Sequence, residues 1–110
     1  MHIKREIKDS AVVLSVEGDV NILSAPDLLK GMVAAIERKP QRLLLNLAAV
    51  PYMDSSGVGV LVNGMKQATG SNIRFGLFQV DERVMAIFEL TRLSKIFKVF
   101  PDEATALRDL

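Results

Sequence analysis

The chain reads as an α/β protein: a mixed sheet of four to five strands with an N-terminal hairpin and about four helices. Three observations predict this. Two strand-like segments, Ile3 to Ile7 and Ala11 to Val16, flank Asp9-Ser10, a pair suited to a tight turn. Beyond them, short apolar runs alternate with longer stretches whose apolar residues recur three and four apart. The run Leu43 to Leu47 is apolar at all but one position, as a central strand covered on both faces requires. Such alternation implies parallel pairing with right-handed crossovers.

The elements follow in order. Gly18-Asp19-Val20-Asn21 leaves the sheet after the hairpin. Ser24 starts the first helix, with Asp27 three residues on in a capping-box-like arrangement and Pro26 in the tolerant first turn. Ala25, Leu28, Leu29, Met32, Val33 and Ile36 share one face of it, and Pro40 ends it. A second helix begins at Ser55 or Ser56 and runs to about Thr69, where Gly70-Ser71-Asn72 stops it. Ile73 to Phe78 is a further strand. Asp81 caps a third helix, Ile96 to Phe100 is a last short strand, and Asp102 caps a terminal helix.

Composition narrows the class. With 110 residues, 49% of them hydrophobic, the chain is long and apolar enough for one packed domain spanning residues 1–110. Fourteen basic against thirteen acidic side chains give no reason to expect direct nucleic-acid binding. No apolar run is long enough to insert across a membrane. The absence of cysteine removes disulfides, and the N-terminal residues lack the apolar centre of a signal peptide. Both features predict a cytoplasmic protein.

The run Met53-Asp54-Ser55-Ser56-Gly57-Val58-Gly59 carries the strongest functional signal. It places an acid and two hydroxyls between a buried strand and a helix start. Amides at a helix start lack intrahelical partners and attract anions, including a phosphate placed on one of these serines. Gly57 and Gly59 each cost about 1 kcal/mol relative to alanine within a helix. Two readings stay open on spacing alone. Either Asp54 or Ser55 caps the helix and the glycines allow tight packing, or something approaches the exposed amides.

Other chemistries lack their parts. A P-loop needs Lys-Ser/Thr after its glycines, and a dinucleotide fingerprint needs a third glycine where Val62 stands. A nucleophile elbow needs glycine two residues before the serine, and the position is Met53. The single histidine, His2, is terminal, which leaves no base for a serine triad. An all-oxygen metal site would have to draw on Asp19 and Asp54, acids that are more simply solvated, so no metal and no cofactor is expected. A phospho-aspartate receiver reading of Asp54 lacks the acidic pair and the later lysine.

The chain resembles a small bacterial anti-sigma-factor antagonist of the STAS-domain family. The resemblance rests on Gly18-Asp19-Val20-Asn21 followed by Ser24-Ala25-Pro26, on Leu45-Asn46-Leu47 leading into Tyr52-Met53-Asp54-Ser55-Ser56-Gly57-Val58-Gly59, and on Phe88-Glu89-Leu90-Thr91-Arg92-Leu93. It implies the STAS fold and a non-enzymatic protein. It implies phosphorylation of Ser55 by a partner that is both anti-sigma factor and serine kinase, and reversal by a serine phosphatase. Asp19, Asn21, Ser24, Met53, Asp54, Ser56, Gly57, Val58 and Gly59 are then the phospho-site and partner contacts. A constitutive STAS interaction subunit of a transport or signalling assembly is the alternative, which needs no serine switch. Within the free protein, the helix N-terminus is expected to hold the phosphate. Ile22, Leu23, Met53 and Val58 form either an apolar rim for a partner or, for most of them, part of the core, Val58 more so than Leu23. Two departures stand out. Asn21 replaces a common aspartate. Arg92 replaces a common glycine, which predicts a different backbone path there.

Overall fold

The computed structural model describes residues 1–110. Its elements are β1 (His2–Lys8), β2 (Ala11–Glu17), α1 (Ala25–Glu37), β3 (Arg42–Ala49), α2 (Ser55–Gly70), β4 (Arg74–Phe78), α3 (Glu82–Leu90), β5 (Val99–Phe100) and α4 (Glu103–Asp109). The five strands form one sheet in the order β1-β2-β3-β4-β5. β1 and β2 are antiparallel and every later pair is parallel. The expected mixed sheet, opening hairpin and four helices are therefore all present.

Asp9 and Ser10 both take positive φ, 48° and 60°. This is the twist that a two-residue hairpin loop needs to match its strands. Alternation along the strands then divides the sheet into two faces. Val12, Leu14, Val16, Leu43, Leu45, Leu47, Phe75 and Leu77 meet α1, α2 and α3 in the larger core. Ala11, Val13, Leu44 and Phe78 meet Ala106 of α4 on the other face. Leu45 is fully buried, and truncation to alanine at such a site costs about 2–5 kcal/mol. Gly64 lets α2 lie close against α1, since a Cβ there would stand 1.6 Å from Met32 Cε.

Arg42 opens β3 and is buried. Its guanidinium donates to the Leu107 and Asp9 carbonyls. One side chain thereby joins the hairpin turn to the terminal helix. Lys8 adds a 2.6 Å ion pair to Glu103.

Two element boundaries differ from expectation. The last strand is only Val99–Phe100, because Leu93–Lys95 forms a 3-10 turn and the chain first meets β4 at Lys98, whose carbonyl accepts from Leu77 N at 2.9 Å. Ser24 precedes α1 but makes no side-chain cap bond to it. Its hydroxyl is engaged in the preceding loop, which the site explains.

Candidate functional site

The site forms where two neighbouring parallel strands end. β2 continues into Gly18–Asn21 and β3 into Val50–Asp54. A register shift between Ser15 and Glu17 ends the regular ladder, and Gly18 turns the chain with φ of 105°, open to glycine and strained for other residues. The two segments then stay side by side. Gly18 N donates to Ala49 O, Val20 N to Tyr52 O and Asp54 N to Val20 O, each at 3.0 Å. Val20 and Met53 form a parallel bridge. The loop carrying Asp19 and Asn21 is thus bound directly to the segment that starts α2.

Asp54 is the N-cap of α2. Its backbone is extended, and Oδ1 accepts from Ser56 N at 2.9 Å and from Gly57 N at 3.3 Å. The carboxylate therefore already occupies the amides that sequence reasoning reserves for a phosphate. A phosphate on Ser55 would therefore stand beside the Asp54 carboxylate, with those two amides already taken. Ser55 is the first residue of α2 and is exposed, whereas Ser56 is half-buried.

The two glycines separate in role. A Cβ on Gly57 would lie 2.5 Å from Met53 Cγ and 2.7 Å from Val20 Cγ1. Gly57 is there for packing, the tight contact foreseen as one reading. Nothing lies within 4 Å of a Cβ on Gly59, so no close approach requires glycine there. Helical side chains lean toward the N-terminus, over the preceding turn. Position 59 is four residues beyond Ser55 on the same face, and its glycine leaves Ser55 uncovered.

Asn21 and Ser24 knit the facing loop. Asn21 Oδ1 accepts from the Leu23 and Ser24 amides at 2.9 and 3.1 Å. Ser24 Oγ donates to Asp19 O at 2.8 Å and accepts from Asn21 N at 3.0 Å. This Asx-type turn replaces the capping box, and Asp27 takes no reciprocal part. Its tip raises Ile22 and Leu23 into solvent, at 72% and 87% exposed, while Met53 and Val58 are buried.

The model of the STAS domain family matches residues 2–106. The chain belongs to the STAS-domain family. A Listeria monocytogenes anti-sigma-B factor antagonist is 29% identical to this STAS domain over 102 residues, covering 90% of each chain. The crystal structure of an anti-sigma factor antagonist from Mycobacterium paratuberculosis is 28% identical, with a TM-score of 0.88, over 98% of this chain and 94% of that one. The phosphorylated form of the Bacillus cell fate determinant SpoIIAA shares the fold, with a TM-score of 0.73 and 19% identity over 97% of this chain and 98% of that one.

Within the STAS domain, the departure at Arg92 takes an unexpected form. Arg92 has φ 63° and ψ 18°, the left-handed region glycine enters freely. The backbone here bears an arginine in a conformation that glycine favours.

Two residues beyond the candidate site residues border the site. Tyr52 is 51% exposed and its carbonyl is bonded to Val20, which adds an aromatic side chain at the edge of the site. A lone tyrosine in the loop before the motif was its only signal. Arg83, near the start of α3, pairs with Asp81 through two contacts of 3.0 Å. The Asp81 carboxylate raises the Arg83 pKa, with a smaller contribution from Asp19. No local pattern links residues 19 and 83; the parallel sheet brings their elements to one end. No group of three His, Cys, Asp or Glu residues is arranged to hold a metal ion, and no helix is long and apolar enough to cross a membrane.

Proposed function

We propose that this STAS domain is an anti-sigma-factor antagonist governed by phosphorylation of Ser55. The unphosphorylated form binds an anti-sigma factor that is also a serine kinase, and thereby frees a sigma factor. Ser55 Oγ takes the γ-phosphoryl group of ATP held by that kinase, ADP leaves, and the hydroxyl proton passes to a base of the kinase. Phosphorylation ends binding, and a serine phosphatase restores the starting state. The domain supplies surface and acceptor and performs no catalysis.

The observation that carries this reading is the pairing of an exposed Ser55 with a capping Asp54 whose carboxylate already fills the Ser56 and Gly57 amides. Phosphorylation adds about −1.5 to −2 charges beside that carboxylate. A partner seated on exposed Ile22 and Leu23 would have to bury this charge, which is unfavourable without a cation. A loss of about 2.7 kcal/mol weakens binding about a hundredfold. The switch therefore works by local electrostatics with the fold unchanged. The relatives' description as anti-sigma-B factor antagonists supports the partner class.

The test is intact-mass and peptide-mapping mass spectrometry after incubation with ATP and the anti-sigma kinase encoded nearest in the genome. Wild type, Ser55→Ala and Ser56→Ala run in parallel. One phosphate on Ser55, retained in Ser56→Ala and accompanied by loss of kinase binding, is the expected result. Tight binding without phosphate would instead leave a constitutive interaction subunit.

A further inference from the structure

A groove of about 470 Å³ opens at the far end of α2 from Ser55. Met65 in its wall is about ten residues further along the helix, or about 15 Å at 1.5 Å per residue. The groove exists because β5 is so short. It pairs only with Leu77 and Phe78 of β4, so Arg74 and Phe75 extend past its start. The segment before β5 packs Phe97 on Phe75 and reaches β4 at Lys98, whose carbonyl accepts from Leu77 N, and it carries Ile96 and Lys98 along the opposite wall.

Its chemistry is two-sided. Met65, Ile73, Phe75 and Ile96 supply the apolar lining. Ile96 is 53% exposed, an uncovered aliphatic group beside a gap in the sheet. Arg74 and Lys98 are exposed at the rim. No acidic residue lines the groove. The ion pairs of the molecule use Lys4, Lys8, Arg83 and Arg108, so both rim cations are unpaired. The whole chain carries only +1, so this acid-free pair is a local concentration of charge.

We propose that this groove docks a partner-protein segment in which a large aliphatic or aromatic residue is flanked by aspartate or glutamate. The apolar residue enters beside Ile96 and Met65, and the acids meet Arg74 and Lys98. Complementary rim charge sets orientation and association rate, while a buried apolar anchor supplies affinity. Because the groove and Ser55 lie at opposite ends of α2, the domain holds this segment while its other end engages a kinase. It is then an adaptor with one switched and one unswitched surface.

The test is amide-resolved NMR titration of the full chain with a capped Glu-Asp-Leu-Phe-Glu-Asp peptide. Saturable shifts confined to Met65, Ile73, Phe75, Ile96 and Lys98 are expected. Arg74→Glu combined with Lys98→Glu should weaken binding by about tenfold or more, and a Lys-Arg-Leu-Phe-Lys-Arg peptide should not bind. Kinase-dependent phosphorylation of Ser55 should be unaltered in the double variant, which separates this surface from the switch. Equal shifts with the basic peptide, or none at millimolar acidic peptide, would overturn the proposal. So would binding of decanoate without the peptide, which would make the groove a site for small amphiphiles.

Discussion

Gly57 and Val20 touch so closely that a single methyl group would not fit, with 2.7 Å from a Cβ at position 57 to Val20 Cγ1. This contact holds the loop of Asp19 and Asn21 against the first turn of α2. Gly57→Ala should therefore destabilise the protein. Overpacking costs about 1–3 kcal/mol, and the helix-propensity gain of about 1 kcal/mol offsets only part of it. Gly59→Ala has free space and should stabilise by up to about 1 kcal/mol. Urea unfolding of both variants checks the opposite signs, and equal effects would refute the division of roles.

Gly59 should matter for access even though it does not matter for packing. A leucine or phenylalanine at position 59 would lean over Ser55. The expected outcome is a slower rate of kinase-dependent phosphorylation in a protein of unchanged or increased stability. A normal rate in Gly59→Phe would show that the kinase approaches from another side.

Asp54 combines a cap with a charge, and two substitutions separate them. Asp54→Ala removes the acceptor for the Ser56 and Gly57 amides and should cost about 1 kcal/mol, within a range of 0.5–2. Asp54→Asn keeps a side-chain carbonyl acceptor and should retain most of that stability. In phosphorylated protein, Asp54→Asn should also recover part of the kinase affinity, because one of two adjacent negative charges is gone. Calorimetric titration of the phosphorylated variant is the direct readout.

Arg92 sits at φ 63°, where a side chain other than glycine is disfavoured by about 1–2 kcal/mol. Glycine loses more backbone entropy on folding, which cancels part of the relief. Arg92→Gly should stabilise by roughly 0.5–1 kcal/mol, measured by thermal or urea unfolding. A destabilised variant would mean that the arginine side chain makes a compensating interaction.

Acid should weaken the start of α3. The Arg83 guanidinium, and then the Arg83 amide, hold Asp81 at about 2, below its ordinary 3.8. A depressed carboxylate stabilises the fold above its unfolded value. The Asp81 contribution is therefore complete above about pH 4 and disappears as pH falls from 3.8 toward 2. Comparing urea midpoints of wild type and Asp81→Asn from pH 7 to pH 2 should show a gap that closes across that window. A gap independent of pH would assign the effect to capping alone.

Much of this was legible locally. The apolar run at Leu43 to Leu47, the turn pair Asp9-Ser10 and the helical periodicity from Ala25 onward all mark their elements, because each reflects spacing along one segment. The misread elements depend on neighbours. Ile96 to Lys98 has strand composition, but the 3-10 turn just before it brings only the Lys98 carbonyl to β4, so β5 shrinks to two residues. Ser24 has the composition of a cap, yet its hydroxyl is taken by Asp19 and Asn21 of its own loop.

The amino-acid sequence by itself determined the alternation of strands and helices, the position of Asp54 and Ser55 at a strand-to-helix junction, and the family. Those properties reside in local pattern and in a contiguous motif. Only the tertiary structure decided that Asp54 fills the amides a phosphate would use, that Gly57 is packed while Gly59 is bare, and that Arg83 shares an end of the sheet with Asp19. The physical reason is the parallel sheet. It brings together the C-terminal ends of strands far apart in the chain, and which amide, methyl group or charge meets which there depends on their register.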